Sequence, residues 1–434
     1  MTSSTKSIQA VSQTQSSGLT TTPQQTGGIN TLTWIQRVSR RIVLSWLEKL
    51  EDGQIHYVDA ERQIACGSPG TTELQTEWIV NDPRFFSQLA AGGSLGLAES
   101  YLRNYWQTDD LTDLLRMLYR NLARVPAGSS GLAVLSRVLN RVAFRINSNT
   151  RQRSRRHIAA HYDLCNEFFE LFLDPTMMYS SGWFETSDSS LHQASVAKLD
   201  RICRKLDLRP TDEVLEIGTG WGGFALHAVR NFGCGLTTTT ISDAQFSKAR
   251  SRIIEAGISD RVQLLNNDYR DLDGQYDKIV SIEMVEAVGE KYLDTYFQHC
   301  ARLLKPGGRF VIQAIVMPED RYDSYRRSVD FIQQYIFPGG FLPSVSAIQN
   351  SVGRTSNLRL ESLEDLSEHY ARTLKEWRHQ FFDHISDVRK LGFDDRFIRM
   401  WEYYLCYCEA AFLEQAVRVV QIVWDKPYHQ PVNR

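Results

Sequence analysis

Glu213-Val214-Leu215-Glu216-Ile217-Gly218-Thr219-Gly220-Trp221-Gly222-Gly223 decides the fold of this protein. Val214 to Ile217 is a short apolar run of strand type. It passes into a loop carrying four glycines, and a helical pattern starts near Phe224. Glycines at this spacing let the backbone turn sharply and approach a ligand where a side chain would block it. Further strand-type runs follow. Those at 213–218, 235–242, 262–268, 276–284 and 309–316 alternate with helical patterns. The alternation predicts an α/β domain with a doubly wound, mostly parallel sheet covered on both faces. Ligands in such sheets bind beyond the carboxyl ends of the strands. Segment 317–357 interrupts the alternation, and a helix near 395–415 and an apolar strand near 417–424 close the domain.

The 434 residues allow about two or three domains. Residues 1–30 are rich in Ser, Thr, Gln and Gly, and too polar to offset ordering entropy, so they read as a disordered tail. Residues 31–145 mix helical patterns (Trp34–Leu50, 94–105, 110–122) with a strand-like run at 54–66, which predicts a smaller N-terminal α+β domain. Residues 146–434 form the α/β domain. Between them lies a joint with Arg137, Arg141, Arg145, Arg151, Arg153, Arg155 and Arg156 and no acid. It reads either as a solvated linker or as a contact for anionic lipid headgroups. No nucleic-acid motif accompanies it, and a net charge of −2 points to no anionic partner. The sequence shows no secretory signal and no run of the roughly 20 apolar residues that a membrane span needs. Seven scattered cysteines form no metal-ligand spacing and fit reduced thiols, so the expected site holds no metal and the expected location is cytoplasmic.

A glycine loop alone does not separate dehydrogenases from other nucleotide binders. A dehydrogenase places an acid at the end of its second strand for the ribose hydroxyls. Here that strand ends Thr237-Thr238-Thr239-Thr240-Ile241-Ser242, with Gln245 one turn into the next helix. Hydroxyl and amide can bind a ribose, but not in the dehydrogenase manner. The third strand ends Asn267-Asp268-Tyr269-Arg270, where a carboxylate can accept from an exocyclic amine and an aromatic ring can lie against adenine. The pattern Glu-x-Gly-x-Gly-x-Gly with these strand ends resembles the site by which Rossmann-like methyltransferases hold S-adenosylmethionine.

Longer motifs carry a closer resemblance. His161-Tyr162-Asp163-Leu164-Cys165-Asn166-Glu167-Phe168-Phe169 is followed by Phe172-Leu173-Asp174-Pro175-Thr176-Met177-Met178-Tyr179-Ser180-Ser181. Glu286-Ala287-Val288-Gly289-Glu290-Lys291-Tyr292, Tyr335-Ile336-Phe337-Pro338-Gly339-Gly340 and Tyr370-Ala371-Arg372-Thr373-Leu374 with Trp377 come later. In this order they resemble the cyclopropane fatty acid synthase family, strongly over 157–426 and more loosely over 34–122.

The resemblance implies a cyclopropane-fatty-acyl-phospholipid synthase-like enzyme. Such an enzyme transfers a methylene from S-adenosylmethionine to a cis double bond in the acyl group of a phospholipid. It would work at the inner membrane surface, and homodimers occur among its relatives. By position, Tyr179 and Ser180 would contact the donor, and Gly218 and Gly220 would flank its methionine part. Thr240 and Gln245 would hold the ribose, while Asp268, Tyr269 and Arg270 would surround the adenine.

The family also cages a bicarbonate ion as the base that closes the ring. Glu286 and Tyr370 match that cage, and Ile315 supplies its backbone position. Ser181 stands where the family has Cys, and Gln313 where it has His. Gln can donate and accept but cannot carry charge or relay a proton at pH 7. Methyl transfer is therefore better supported than ring closure. The alternative is a methyltransferase that alkylates a carbon of the acyl group and gives a methyl-branched unsaturated product. A small-molecule N- or C-methyltransferase is a second alternative, and a non-enzymatic membrane-associated scaffold a third.

Overall fold

The computed structural model describes residues 32–68, 74–123 and 164–428. The tail, the arginine-rich joint, and His161 and Tyr162 lie outside these residues.

The N-terminal part is a four-stranded sheet with three helices. Its strands are β1 (Gly53–Val58), β2 (Gln63–Ser68), β3 (Gln75–Val80) and β4 (Trp106–Thr108), in the order β2-β1-β3-β4. Helices α1 (Trp34–Leu47), α2 (Arg84–Leu102) and α3 (Leu111–Ala123) accompany it. A capping box between Thr33 and Gln36 starts α1. The strand-like run at 54–66 is a hairpin of two strands rather than one. Asp59 makes the turn by accepting from the backbone of Glu61 and Arg62 while Arg40 and Tyr57 hold its carboxylate. The helix expected from residue 94 begins ten residues earlier and kinks at Gly93, whose φ is +54°. β3 and β4 were not legible, since β3 runs into the turn residues Asn81-Asp82-Pro83 and β4 has only three residues.

The α/β domain has a seven-stranded sheet in the order β10-β11-β9-β8-β5-β6-β7. Strands β5 (Glu213–Ile217), β6 (Gly235–Thr239), β7 (Val262–Leu265), β8 (Tyr276–Ile282) and β9 (Leu304–Val316) run parallel. β10 (Arg359–Asp365) and β11 (Arg418–Asp425) add an antiparallel edge. β10 was not expected, because five of its seven residues are polar and its two leucines, at 360 and 363, do not alternate.

The flanking helices are α4 (Asn166–Glu170), α5 (Leu191–Leu206), α6 (Gly223–Phe232), α7 (Asp243–Glu255), α8 (Leu293–Leu303), α9 (Glu319–Tyr325), α10 (Val345–Thr355), α11 (Ser367–Asp383), α12 (Ile385–Lys390) and α13 (Asp395–Leu413). No helix among the described residues is long and apolar enough to cross a membrane.

α13 joins the two parts. Glu402 accepts from Tyr101, Arg399 donates to the carbonyls of Tyr101 and Trp106, and Glu409 accepts from Thr112. One buried cluster runs from Trp78 and Trp106 through Tyr403 and Trp401 to Phe168 and Phe172. The two parts thus share a core across the boundary read from the sequence. Phe168 and Phe172 are fully buried in that core rather than facing a cavity. Phe168 meets the rings of Phe169, Phe172, Phe381, Phe393, Phe397 and Trp401 at centroid distances of 4.9–6.2 Å. Phe168→Ala is expected to cost about 3–5 kcal/mol of stability, read as a lower urea midpoint at an unchanged slope.

Candidate active site

The glycine loop sits between the carboxyl ends of β5 and β6. The N–H groups of Gly218 and Thr219 both donate to Thr239 O, which ties the loop to the neighbouring strand. Gly218, Gly220 and Gly222 have φ of +103°, +52° and +83°. A Cβ on Gly220 would meet no heavy atom within 4 Å, so the loop borders open space. Trp221 is anchored from both sides. Its indole donates to Asn166 Oδ1 at 2.7 Å, and its carbonyl accepts from Arg252.

Thr240 and Gln245 lie at the end of β6 and the start of α7, hydrogen-bonded to each other at 3.1 Å. Asp268 caps the turn after β7 and takes both nitrogens of a forked bond from Arg270, which holds its carboxyl below the usual range. Tyr269 stands edge-on to Tyr296 at 5.3 Å. Gly218, Gly220, Thr240, Gln245, Asp268, Tyr269 and Arg270 therefore line three adjacent strand ends. An open glycine cradle, a hydroxyl–amide pair and a carboxylate beside an aromatic ring suit the methionine, ribose and adenine parts of S-adenosylmethionine.

Tyr179 and Ser180 face inward from the segment after α4. The Tyr179 hydroxyl bonds that of Tyr404 at 2.8 Å, and its ring lines a cavity. Ser180 Oγ accepts from the buried Lys198 at 2.8 Å. Burial pulls Lys198 down to about 8, while the carboxylates of Glu283, Asp174 and Glu216 hold it up.

The centre of the site is a carboxylate the sequence reading missed. Glu283 Oε1 accepts from the Ser181 N–H at 2.9 Å and from Gln313 Nε2 at 2.7 Å, and Oε2 accepts from the Tyr370 hydroxyl at 2.7 Å. These donors are three of the positions assigned to the anion cage. The groups a bicarbonate ion would need are committed to a side chain, so the residues present do not fit that ion. Ser181 acts through its backbone, and its hydroxyl turns away to Gly182 O.

Gln313 is oriented from behind. Its Oε1 accepts from Gln421 Nε2 at 2.9 Å, and Gln421 Oε1 accepts in turn from Lys205. The only signals for Glu283 were an acid at a strand end, three residues before Glu286, and its φ is +48°. A non-glycine residue in this left-handed region is held there by its surroundings.

Glu286 lies one turn further. Its Oε1 accepts from the Ile315 N–H, while Oε2 is buried and has no hydrogen-bond partner among the described residues. Burial first, and the charge of Glu283 second, push its pKa up to about 8. Glu283 is also raised by burial, but its three donors and Lys198 favour its charged form. The two carboxyls are therefore coupled, and the hydrogen bonds at Glu283 make it the one better stabilised in its charged form. Tyr370, pushed well up by burial, stays a donor. Gly218 packs on Met284, the residue after Glu283, so the cradle adjoins the carboxylates.

A cavity of about 1800 Å³ opens beside Glu283 and Glu286 and is walled by Tyr179, Phe337, Tyr404 and Tyr407. Trp401 and Tyr403 are core instead, and Trp183 stacks under Arg201 at 3.7 Å.

Residues 149–422 match the family model described as mycolic acid cyclopropane synthetase. The protein belongs to this family of acyl methyltransferases. Tuberculostearic acid methyltransferase UfaA1 of Mycobacterium tuberculosis is 39% identical over 76% of this sequence and 78% of its own length. Cyclopropane-fatty-acyl-phospholipid synthase of Escherichia coli is 35% identical over 80% of this sequence and 87% of its own. The solved cyclopropane synthase MmaA2 of Mycobacterium tuberculosis superposes with a TM-score of 0.57 at 28% identity, over 62% of this protein and 97% of that one. Coclaurine N-methyltransferase, at 16% identity and a TM-score of 0.58, shows the shared fold alone.

As a family member the protein is an S-adenosylmethionine-dependent methyltransferase with a Rossmann-like core and a smaller N-terminal part. Gly220→Leu projects a side chain into the open cradle. Donor affinity measured by calorimetry should fall at least about tenfold while the fold survives, because φ near +52° costs a non-glycine residue only about 1–2 kcal/mol.

Proposed function

We propose that the protein methylates the cis double bond of an unsaturated acyl group. We further propose that the resulting cation is resolved by proton loss to a protein carboxylate, giving a methyl-branched unsaturated product. The observation that carries this reading is the Glu283 carboxylate held by Ser181, Gln313 and Tyr370.

S-adenosylmethionine supplies an electrophilic methyl on a sulfonium. The alkene pair forms the new C–C bond as the C–S bond breaks, and the other carbon of the former double bond becomes cationic. The Glu283 carboxylate stands beside the cavity where that cation would develop and can stabilise it electrostatically. In the family ring closure uses a caged anion as base, and here Glu283 takes up three donors of that cage. Glu286 has the uncommitted oxygen and lines the cavity that takes the hydrocarbon. In its ionised form it accepts the proton, the C–H pair becomes a double bond, and neutrality is restored. The relative named tuberculostearic acid methyltransferase supports methyl transfer to a fatty acid. The relative named cyclopropane-fatty-acyl-phospholipid synthase supports the ring.

A donor carrying a CD3 group separates these outcomes by mass spectrometry of the fatty acids. A product that keeps three deuteriums and takes up hydrogen is a methyl-branched alkene. One that keeps two and takes up hydrogen is a methylene branch, formed when a 1,2-hydride shift moves the charge to the methyl-bearing carbon before the carboxylate takes a methyl proton. One that keeps two and resists hydrogenation is a cyclopropane and overturns the proposal.

Glu286 is the group that must ionise, so kcat/KM should rise with pH with an apparent pKa near 8. In Glu283→Gln the neighbouring charge is gone and the surviving profile should move to lower pH. An unmoved profile would separate the two carboxyls. Glu286→Gln should retain donor binding and lose about 10²–10⁴ in turnover.

A further inference from the structure

Lys198 is a buried charge that the methyl transfer described above does not use. It stands on α5 with no exposure to solvent, and its Nζ donates to Ser180 Oγ at 2.8 Å. An ammonium carries three N–H donors. Among the described residues Lys198 has no second hydrogen-bond partner and no ion pair. Glu283, Asp174 and Glu216 lie near enough to favour its charged form. Each of them is hydrogen-bonded elsewhere: Glu283 to its three donors, Asp174 to Thr176 and His192, and Glu216 to Thr238. Burial lowers Lys198 only to about 8, so below pH 7 it keeps its proton. Packing alone would be served better by an apolar side chain of the same length.

Ser180 shows where the charge acts. Residues 178–181 run from the glycine cradle to the central carboxylate. A Cβ on Gly223 would come within 2.6 Å of Met178 Sδ, and the Ser181 N–H donates to Glu283. Between them Ser180 is buried, and its hydroxyl donates to no acceptor among the described residues. Lys198 takes one lone pair from behind and leaves the O–H to be offered forward. A hydroxyl polarised by a cation is a stronger donor. It suits a carboxylate, and the same cation repels an ammonium. S-adenosylmethionine carries both groups on its methionine part, so the Lys198–Ser180 pair distinguishes one from the other.

We propose that Lys198 is a positioning residue for the methyl donor. Through Ser180 it holds the carboxylate of S-adenosylmethionine and so fixes the orientation of the methionine part. This rests on the reading above that the strand ends hold this donor, with Ser180 against it. Lys198 is closed to solvent, so it acts through Ser180 and not by contact.

The test uses the full-length protein at pH 6.5 and two probes, S-adenosylmethionine and its decarboxylated form, which keeps the sulfonium and the amine. Affinities are read by calorimetry. The unaltered protein should bind S-adenosylmethionine at least about tenfold tighter than the decarboxylated form. Lys198→Met keeps the length of the side chain and removes the charge. It should weaken S-adenosylmethionine about tenfold and the decarboxylated form less than about twofold. A merely structural role would weaken both alike. Equal losses, no loss, or equal affinities in the unaltered protein would each overturn the inference.

Ser180→Ala removes the link with a smaller change and should show the same selective loss, even if Lys198→Met folds poorly. A loss shared equally by both probes in Ser180→Ala would count against the inference. The double variant should lose no more than either single one, because the two residues act as a unit. Additive losses would place the effect of Lys198 elsewhere and overturn it. Failure of the unaltered protein to bind either probe would overturn the donor-site reading itself, and this inference with it.

Discussion

A buried carboxylate is stable only if the fold brings donors to it, and Glu283 sets that requirement here. Its three donors come from the loop after α4, from the middle of β9 and from α11. None could be satisfied without the others being in register. The demand reaches further, because Gln313 can donate only if its amide is oriented, and Gln421 and Lys205 fix that orientation. Strand β11 pairs Gln421 directly opposite Gln313. The antiparallel edge of the sheet is thus part of the active site's support. A triply hydrogen-bonded carboxyl on a left-handed backbone position and a raised neighbour at Glu286 follow from one arrangement.

The second organising feature is α13, which turns two sheets into one body. Its outer polar residues bind the N-terminal part, and its inner aromatics split their roles. Trp401 and Tyr403 fill the shared core, whereas Tyr404 and Tyr407 wall the cavity. Gly92, Ser94, Leu95 and Tyr119 of the N-terminal part also line that cavity. The smaller domain therefore helps shape the cavity beside the two carboxylates.

Much of the α/β domain was legible because its strands are short apolar runs separated by helical patterns, and because four glycines follow the first of them. The candidate donor-binding residues from Gly218 to Arg270 come together for the same reason: they occupy the ends of consecutive strands, and sequence order already places them side by side. The hairpin at 53–68 and the strands β3, β4 and β10 were less so. β3 runs straight into turn residues, β4 has three residues, and β10 is mostly polar on an edge, so none shows a clear strand pattern. The aromatic residues around Phe168 could not be divided between core and cavity, since both surfaces are apolar.

Sequence alone determined the Rossmann-like domain, the glycine cradle, and Glu286, Gln313 and Tyr370 as candidates, because each rests on local pattern or motif. It also exposed Gln313 as a departure from the family without giving the reason. Tertiary structure decided that reason. Positions 181, 283, 313 and 370 are far apart in the sequence, and only folding shows that three of them point their donors at the fourth. Hydrogen-bond direction and the loss of water around a carboxylate are properties of that assembled pocket, and no spacing along the sequence encodes them.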